Sequence, residues 1–117
     1  MTITERSVGD VTVLDLTGRL VLYEGEADFR KKVDDLVAHG RTRIVVNLNE
    51  VDYMDSAGVG VLVGKFLSVR RTGGDIKLLH LSRRAQHVMD ITRLLSVFQS
   101  FDNEQAAITS FTSTVRS

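Results

Sequence analysis

One short segment, residues 51–62, carries the residue types and the spacing that could support chemistry. Within it a hydroxyl at Ser56 directly follows a carboxylate at Asp55 and precedes a run of small residues. The pattern places Ser56 at the start of a helix, where serine is a preferred N-cap residue. A phosphate attached at this position would meet free N–H groups and the positive end of the helix dipole. Helix capping and phosphorylation are therefore both open to this serine.

Two glycines, Gly58 and Gly60, fall in the first turn that the pattern predicts for this helix. Because glycine costs about 1 kcal/mol in a helix interior, such a pair suggests that another backbone approaches closely. We expect that backbone to belong to a binding partner. A large side chain at Gly58 is then expected to weaken partner binding more than folding.

Other chemistry finds little support in the chain. It has no cysteine, which excludes disulfides, thiolate metal sites and cysteine nucleophiles. Its histidines, His39, His80 and His87, have no metal-ligand spacing, and His80 is predicted to lie in a strand. The segment from Gly58 to Lys65 has the wrong glycine spacing for a nucleotide phosphate loop. We expect no catalytic residue, no metal and no cofactor, and thus no enzyme.

Charge and length restrict the partners and the organisation of the chain. The 15 basic and 15 acidic side chains cancel, which argues against a nucleic-acid-binding protein. No apolar run approaches the roughly 20 residues that cross a bilayer, and the first ten residues lack a signal peptide's apolar core. We therefore expect a cytoplasmic protein without membrane insertion. The 117 residues contain no linker-like stretch and are predicted to form one domain, 1–117.

Strand and helix patterns alternate along the chain, which predicts an α/β domain. Four to five strands of a mixed sheet are expected, the first two antiparallel and the later ones parallel, with about four helices packed on the sheet. Gly40 and Gly73 are predicted to follow helix ends, Ser82 to cap the third helix, and Asp102 with Gln105 to form a capping box for a final helix that carries Ala106, Ile108 and Phe111. The predicted strands are 3–7, 11–16, 43–48, 76–81 and 97–101, and the predicted helices are 24–39, 57–71, 83–92 and one from about 102.

The sequence also resembles a known protein family. The heptapeptide from Met54 to Gly60, Met-Asp-Ser-Ala-Gly-Val-Gly, resembles the phosphorylation loop of the STAS domain, the sulfate-transporter and anti-sigma-factor-antagonist family. Further matches lie at 18–20, 44–48, 73–75 and 88–94, so that the resemblance extends from Thr2 to Phe111.

The resemblance implies a regulatory function. By it, Ser56 is phosphorylated by a partner serine kinase, a histidine-kinase-like ATPase that is also an anti-sigma factor. The unphosphorylated protein binds that partner and releases a sigma factor, and a PP2C-like phosphatase resets the switch. The partner-binding residues are then expected to be Asp55, Ser56, Ala57, Gly58, Val59, Gly60, Tyr23 and Glu24.

Two positions depart from the family pattern. Val21 stands where members often carry an aspartate, and Arg93 stands where they have a glycine. The role of the aspartate is either taken over by Glu24 or Glu26 or lost in this protein. Some STAS relatives are not phosphorylated and act as subunits of lipid-transport ATPases or as scaffolds in sensory complexes. This alternative stays open, although the Asp-Ser-Ala-Gly motif favours the phosphorylated switch.

Overall fold

A computed structural model describes residues 1–92 and 97–113 of the protein. Its five strands are Thr2–Val8 (β1), Val11–Leu20 (β2), Arg43–Met54 (β3), Asp75–Leu79 (β4) and Ser100–Phe101 (β5). Its helices are Glu26–Ala38 (α1), Ser56–Arg71 (α2), Arg83–Thr92 (α3) and Glu104–Ser113 (α4). Strands and helices alternate after the first hairpin, as the sequence pattern predicts.

The five strands form one sheet in the order β1-β2-β3-β4-β5. The β1–β2 pair is antiparallel, and the β2–β3, β3–β4 and β4–β5 pairs are parallel. The predicted mixed α/β sheet is thus confirmed. Because β2 and β3 run in the same direction, their last residues, Leu20 and Met54, are neighbours in the ladder. The segments that follow these two strands therefore begin at one edge of the sheet, where open α/β sheets commonly place their sites.

Helices cover both faces of the sheet. The larger apolar cluster lies beneath α1, α2 and α3, and includes Leu14 and Val46 from the sheet with Phe29 and Leu62 from the helices. The neighbouring strand positions point to the other face, as the pleat requires. They form a smaller cluster with α4, composed of Val11, Val13, Val45, Leu79, Ala107 and Phe111.

Strand β3 is longer than predicted, and this lengthening matters for the site. It was expected to end at Leu48, but it continues to Met54 because the second half of β2 supplies a pairing partner. Thr17 pairs with Glu50, and Leu20 pairs with Met54. Polar residues on the exposed positions of this half conceal the strand pattern in the sequence. The predicted short connection before Asp55 is consequently part of the strand.

Several predicted boundaries are also wrong. Helix α1 begins at Glu26 rather than at Glu24, because Gly25 precedes it as N-cap with a φ of 87°. Strand β4 ends at Leu79, so that His80, with a φ of 53°, lies outside the strand. The last strand covers only Ser100–Phe101 of the predicted 97–101.

The capping signals give a mixed result. Gly40 and Gly73 follow the ends of α1 and α2, and the Ser82 hydroxyl accepts a hydrogen bond from the Ala85 N–H at 3.1 Å, as predicted. The capping box at Asp102 is wrong, since the side chain of Asn103 accepts the bond from the Ala106 N–H at 2.9 Å. This one-residue shift buries Ala107 and leaves Ala106 exposed. Arg93 and Leu94 lie outside the described residues.

Candidate partner-binding and phosphorylation site

Asp55 is the single residue between strand β3 and helix α2. Its backbone is extended, with φ −110° and ψ −174°, and its Oδ1 accepts a hydrogen bond from the Gly58 N–H at 2.9 Å. Its carbonyl oxygen accepts the next bond, from the Val59 N–H, at 3.0 Å. Asp55 is therefore the N-cap, and the capping role considered for Ser56 is wrong. Since β3 extends to Met54, Asp55 is the residue left to make the transition, and aspartate caps as well as serine does.

Ser56 is the first residue of α2 and is exposed. Asp55 already accepts bonds from the N–H groups of Gly58 and Val59, while those of Ser56 and Ala57 belong to the helix end that has no intrahelical acceptor. Within the described part of the chain, the Ser56 hydroxyl has no hydrogen-bond partner. A modifying enzyme can therefore reach this hydroxyl without breaking an internal contact.

A tight turn lies beside the start of α2. Val21 and Glu24 exchange two backbone hydrogen bonds, of 2.9 and 3.0 Å, which puts Leu22 and Tyr23 at the tip. Asp55 Oδ2 accepts a bond from the Leu22 N–H at 3.2 Å. One carboxylate thus ties the turn to the helix N-terminus, and the turn that holds Tyr23 and Glu24 lies next to Ser56.

The tip of the turn and the end of β3 expose large apolar and aromatic side chains. Tyr23 is 93% exposed, Leu22 51% and Tyr53 43%. The Arg19 guanidinium lies 5.3 Å from the centroid of the Tyr53 ring, and its Nε lies 3.4 Å from a carboxylate oxygen of Glu24. Tyrosine and arginine are enriched in protein interfaces, because they combine apolar contact area with polar groups.

The backbone that approaches Gly58 belongs to this chain and not to a partner. A Cβ atom at Gly58 would overlap the carbonyl oxygen of Leu20 and lie 3.0 Å from Met54 Cγ. Gly58 is buried, and so is Val59, which is only 1% exposed. The expectation that Gly58 mainly serves binding is therefore wrong, because a larger side chain there would disturb the fold first. Gly60, by contrast, is exposed, and a Cβ there would meet open space.

The acidic residues proposed to replace the missing aspartate have different positions. Val21 itself is nearly buried, with 8% exposure. Glu24 lies in the turn and faces Arg19, whereas Glu26 forms an ion pair with Arg30 one helical turn further along α1. Of the two glutamates, Glu24 is thus the one that lies in the turn held by Asp55.

Sequence reasoning missed Leu22 and Tyr53 as surface residues. Both are large and partly apolar, so that the sequence pattern alone assigns them to the core or to a strand face. The signal that could have found Leu22 is its position next to Tyr23 between the predicted strand 11–16 and the predicted helix 24–39, where the sequence has no strand or helix pattern. Tyr53 is exposed because it alternates with the buried Met54 on the pleat of β3.

Within residues 1–92 and 97–113, no group of three histidine, aspartate or glutamate side chains is arranged to hold a metal ion. Over the same residues, no helix combines the length and the apolar character needed to cross a membrane. One end of the sheet of this α/β domain thus brings together an exposed serine, a capping carboxylate and exposed aromatic rings.

The sequence profile of the STAS domain family matches residues 2–107, and the chain belongs to this family. It is similar to the anti-sigma-B factor antagonist of Bacillus subtilis, with 34% identity over 93 residues, which cover 80% of this chain and 83% of that protein. It is also similar to the anti-sigma F factor antagonist of Paenibacillus polymyxa, with 25% identity over 100 residues, which cover 85% of this chain and 85% of that protein.

Solved structures show the same fold. The anti-sigma factor antagonist SpoIIAA in its unphosphorylated form superposes with a TM-score of 0.73 at 23% identity, covering 94% of this chain and 97% of its own. The phosphorylated form of SpoIIAA, from Bacillus, gives a TM-score of 0.72 at 24% identity and covers 94% of this chain and 99% of its own. At these identities the likeness establishes the fold.

Proposed function

We propose that this protein is a cytoplasmic anti-sigma factor antagonist controlled by phosphorylation of Ser56. The unphosphorylated form binds an anti-sigma factor and so releases a sigma factor. The observation that carries this proposal is the exposed Ser56 hydroxyl at the start of α2, which has no hydrogen-bond partner among the described residues and lies beside the exposed turn at Leu22 and Tyr23. The similarity to the anti-sigma-B factor antagonist of Bacillus subtilis and the anti-sigma F factor antagonist of Paenibacillus polymyxa supports it.

The binding surface consists of the exposed and partly exposed residues around Ser56. We define the switch surface as Leu22, Tyr23, Glu24, Tyr53, Asp55, Ser56, Ala57 and Gly60. Gly58 and Val59 hold this surface in place from below, because both are buried. An anti-sigma factor would contact the aromatic side chains of the turn and the first turn of α2 together.

Phosphorylation acts at the interface and leaves the fold intact. A phosphate on Ser56 adds about −1.5 to −2 charges at neutral pH. The helix dipole stabilises such a charge by roughly 0.3–1 kcal/mol, while repulsion from the neighbouring Asp55 carboxylate costs on the order of 1 kcal/mol in water. These two effects nearly cancel in the free protein. In the complex the phosphate loses its water, which costs several kcal/mol where no cation compensates.

The proposed partners follow from this cycle. A serine kinase of the histidine-kinase-like ATPase type would be the anti-sigma factor itself, and it would inactivate the antagonist by transferring a phosphate to Ser56. A PP2C-like phosphatase would remove the phosphate and restore binding. The antagonist contributes the acceptor hydroxyl and the docking surface, and the catalytic groups come from the two partner enzymes.

Two substitutions at Ser56 test the proposal. Ser56→Asp is expected to lose the anti-sigma factor by tenfold or more in affinity while melting within a few degrees of wild type. Ser56→Ala is expected to bind normally and to take up no phosphate from radiolabelled ATP in the presence of the kinase. Calorimetry, thermal melts and phosphate incorporation measure these three quantities.

Ser68→Asp is the matched control, because it adds the same charge to α2 three turns away from Ser56. It should bind the anti-sigma factor as wild type does. A Ser56→Asp protein that is unfolded, or that binds at full strength, would refute the mechanism. Phosphate incorporation into Ser56→Ala would show that a residue other than Ser56 is phosphorylated. No incorporation into the wild-type protein would favour the alternative of an unphosphorylated subunit or scaffold.

A further inference from the structure

A cleft lies at the end of the sheet where strands β3 and β4 begin. It has a volume of about 470 Å³, and its charged lining residues are Arg43, Arg70, Asp75 and Lys77. Arg43 is the first residue of β3, whereas Ser56 comes two positions after its last residue, Met54. At about 3.3 Å per strand residue the two ends of β3 are roughly 35 Å apart. The cleft is therefore separate from the switch surface.

Lys77 is the unusual residue of this cleft. It lies in β4 and is only 1% exposed, although lysine is almost never buried without a partner. Its Nζ donates a hydrogen bond to Ser110 Oγ at 2.7 Å and lies 4.3 Å from the centroid of the Phe111 ring. Among the described residues, no carboxylate lies within ion-pair distance of this ammonium group. Burial lowers the pKa of Lys77, and the more distant charge of Asp75 opposes this effect.

Two arginines add positive charge to the same cleft. Arg43 uses one Nη atom to contact Asp10 at 2.7 Å, which leaves further N–H donors of its guanidinium group available. Arg70 stands 3.6 Å from Asp75, beyond ordinary hydrogen-bond distance, and is 57% exposed. Among the described residues that line the cleft, three cationic side chains thus accompany one carboxylate, and one of the three cations is buried.

We propose that this cleft binds a small phosphate-bearing anion, with Lys77 as its buried donor and Arg43 and Arg70 as its outer donors. Phosphate suits the site because it carries more than one negative charge and several acceptor oxygens, which arginine and lysine recognise together. The volume lies in the range of small-molecule sites and leaves room beyond a single phosphate group. The lining Gln99 can hydrogen-bond to the remainder of such a molecule.

Helix α4 would respond to this ligand. Ser110 and Phe111, which hold the Lys77 side chain, both belong to α4. An anion that pairs with Lys77 would stabilise the arrangement in which α4 lies on the sheet. Because a ligand that binds only the folded state raises stability, binding should appear as an increase in melting temperature.

The test uses the full chain, with inorganic phosphate and glycerol 3-phosphate as probes at constant ionic strength. We expect a saturable rise in melting temperature and a matching isotherm by calorimetry for at least one probe. The tighter probe identifies the source of the phosphate group, inorganic or esterified. Lys77→Met should weaken this binding at least tenfold, and it should fold well because it removes a buried charge.

Lys31→Met is the matched control, since Lys31 is an exposed lysine of α1 that does not line the cleft. It should bind both probes as wild type does. Arg43→Gln is a second variant, which keeps the proposal testable if Lys77→Met folds poorly. It is expected to weaken binding of the phosphate probe at least threefold. Absence of saturable binding to wild type, or unchanged binding by folded Lys77→Met, would overturn the proposal. Neither result depends on an anti-sigma factor, so that the function proposed for Ser56 is tested independently.

Discussion

Gly58 in helix α2 packs directly against the carbonyl group of Leu20 at the end of strand β2. A Cβ atom at Gly58 would overlap the Leu20 oxygen and lie 2.9 Å from the Leu20 carbonyl carbon. The start of α2 is therefore set into the corner formed by the ends of β2 and β3. This contact fixes where Ser56 stands relative to the turn that follows Leu20.

We expect Gly58→Ala to lower the free energy of unfolding by about 1–3 kcal/mol, as overpacking of a rigid contact does. The atoms in the way belong to a strand backbone, which cannot turn aside as a flexible side chain can. Urea denaturation measures the change. Gly64→Ala is the control, because its Cβ meets open space and alanine favours a helix over glycine by about 1 kcal/mol. Equal stability of the two variants would contradict the close contact.

Asp55 is expected to contribute through both of its carboxylate oxygens. Asp55→Ala removes the acceptors of the Gly58 and Leu22 N–H groups and should cost about 1–2 kcal/mol of stability. Asp55→Asn retains one acceptor oxygen and should lose less stability than Asp55→Ala. Hydrogen exchange at the Leu22 amide should become faster in Asp55→Ala, because the turn loses its tie to α2. An unchanged exchange rate at this amide would show that the turn does not depend on Asp55.

The Tyr23 side chain is expected to serve binding and not folding. Its φ of 64° is tolerated better by asparagine than by most residues, so that Tyr23→Asn should change the stability by less than about 0.5 kcal/mol. The same change removes an aromatic ring that is 93% exposed, and we expect at least a tenfold loss of affinity for the anti-sigma factor. Calorimetric titration and thermal melts measure the two effects.

Leu22 offers a similar test with a close control. Leu22→Ser should weaken binding, whereas Leu67→Ser should not, since Leu67 is equally exposed but lies in the last two turns of α2, away from Ser56. The two side chains are 51% and 48% exposed, so that neither change should cost much stability. Equal loss of affinity in both variants would place the interface elsewhere.

A charged network on the face of the sheet that α4 covers makes the stability of the protein depend on pH. Arg6 Nε lies 2.6 Å from Asp15 Oδ2, and Arg6 Nη2 lies 2.6 Å from Glu104 Oε1, so that β1, β2 and α4 are joined. The hydrogen bonds from Arg6 lower the pKa of both carboxyl groups from their ordinary values of 3.8 and 4.5. For a lowered pKa, the stabilisation is complete above the ordinary value and is lost as the pH falls through the folded-state value.

We therefore expect the stability to fall as the pH is lowered below about 4.5, and Arg6→Met to reduce this dependence. At pH 7 the variant should lose about 1 kcal/mol, because the groups are partly exposed and solvent screens them. Urea denaturation from pH 7 to pH 3 gives the comparison. Arg30→Met is the control, since Arg30 pairs with Glu26 on an exposed helix face and should have little effect. An Arg6→Met curve parallel to that of wild type would contradict the network.

The sequence by itself determined the class of fold and the identity of the central serine. Runs of β-branched residues mark β2 and β3 because such side chains fit a pleated, half-buried surface. The spacing of Phe29 and Val33 marks α1, because positions three and four apart share one helix face. These signals are local, which is also why Ser56 could be placed at the start of α2 with an error of one residue.

Only the tertiary structure decided how the site is assembled. The length of β3 depends on pairing with the second half of β2, and the requirement for glycine at position 58 comes from Leu20, which is 38 positions earlier in the chain. The exposure of Leu22 and the burial of Lys77 likewise depend on elements that are distant in sequence. Local patterns state which surfaces an element can bury, but the partner that buries them is chosen by long-range packing. For that reason Ser56 could be found from the sequence. The turn after Leu20, the capping role of Asp55 and the cleft around Lys77 became visible only in the fold.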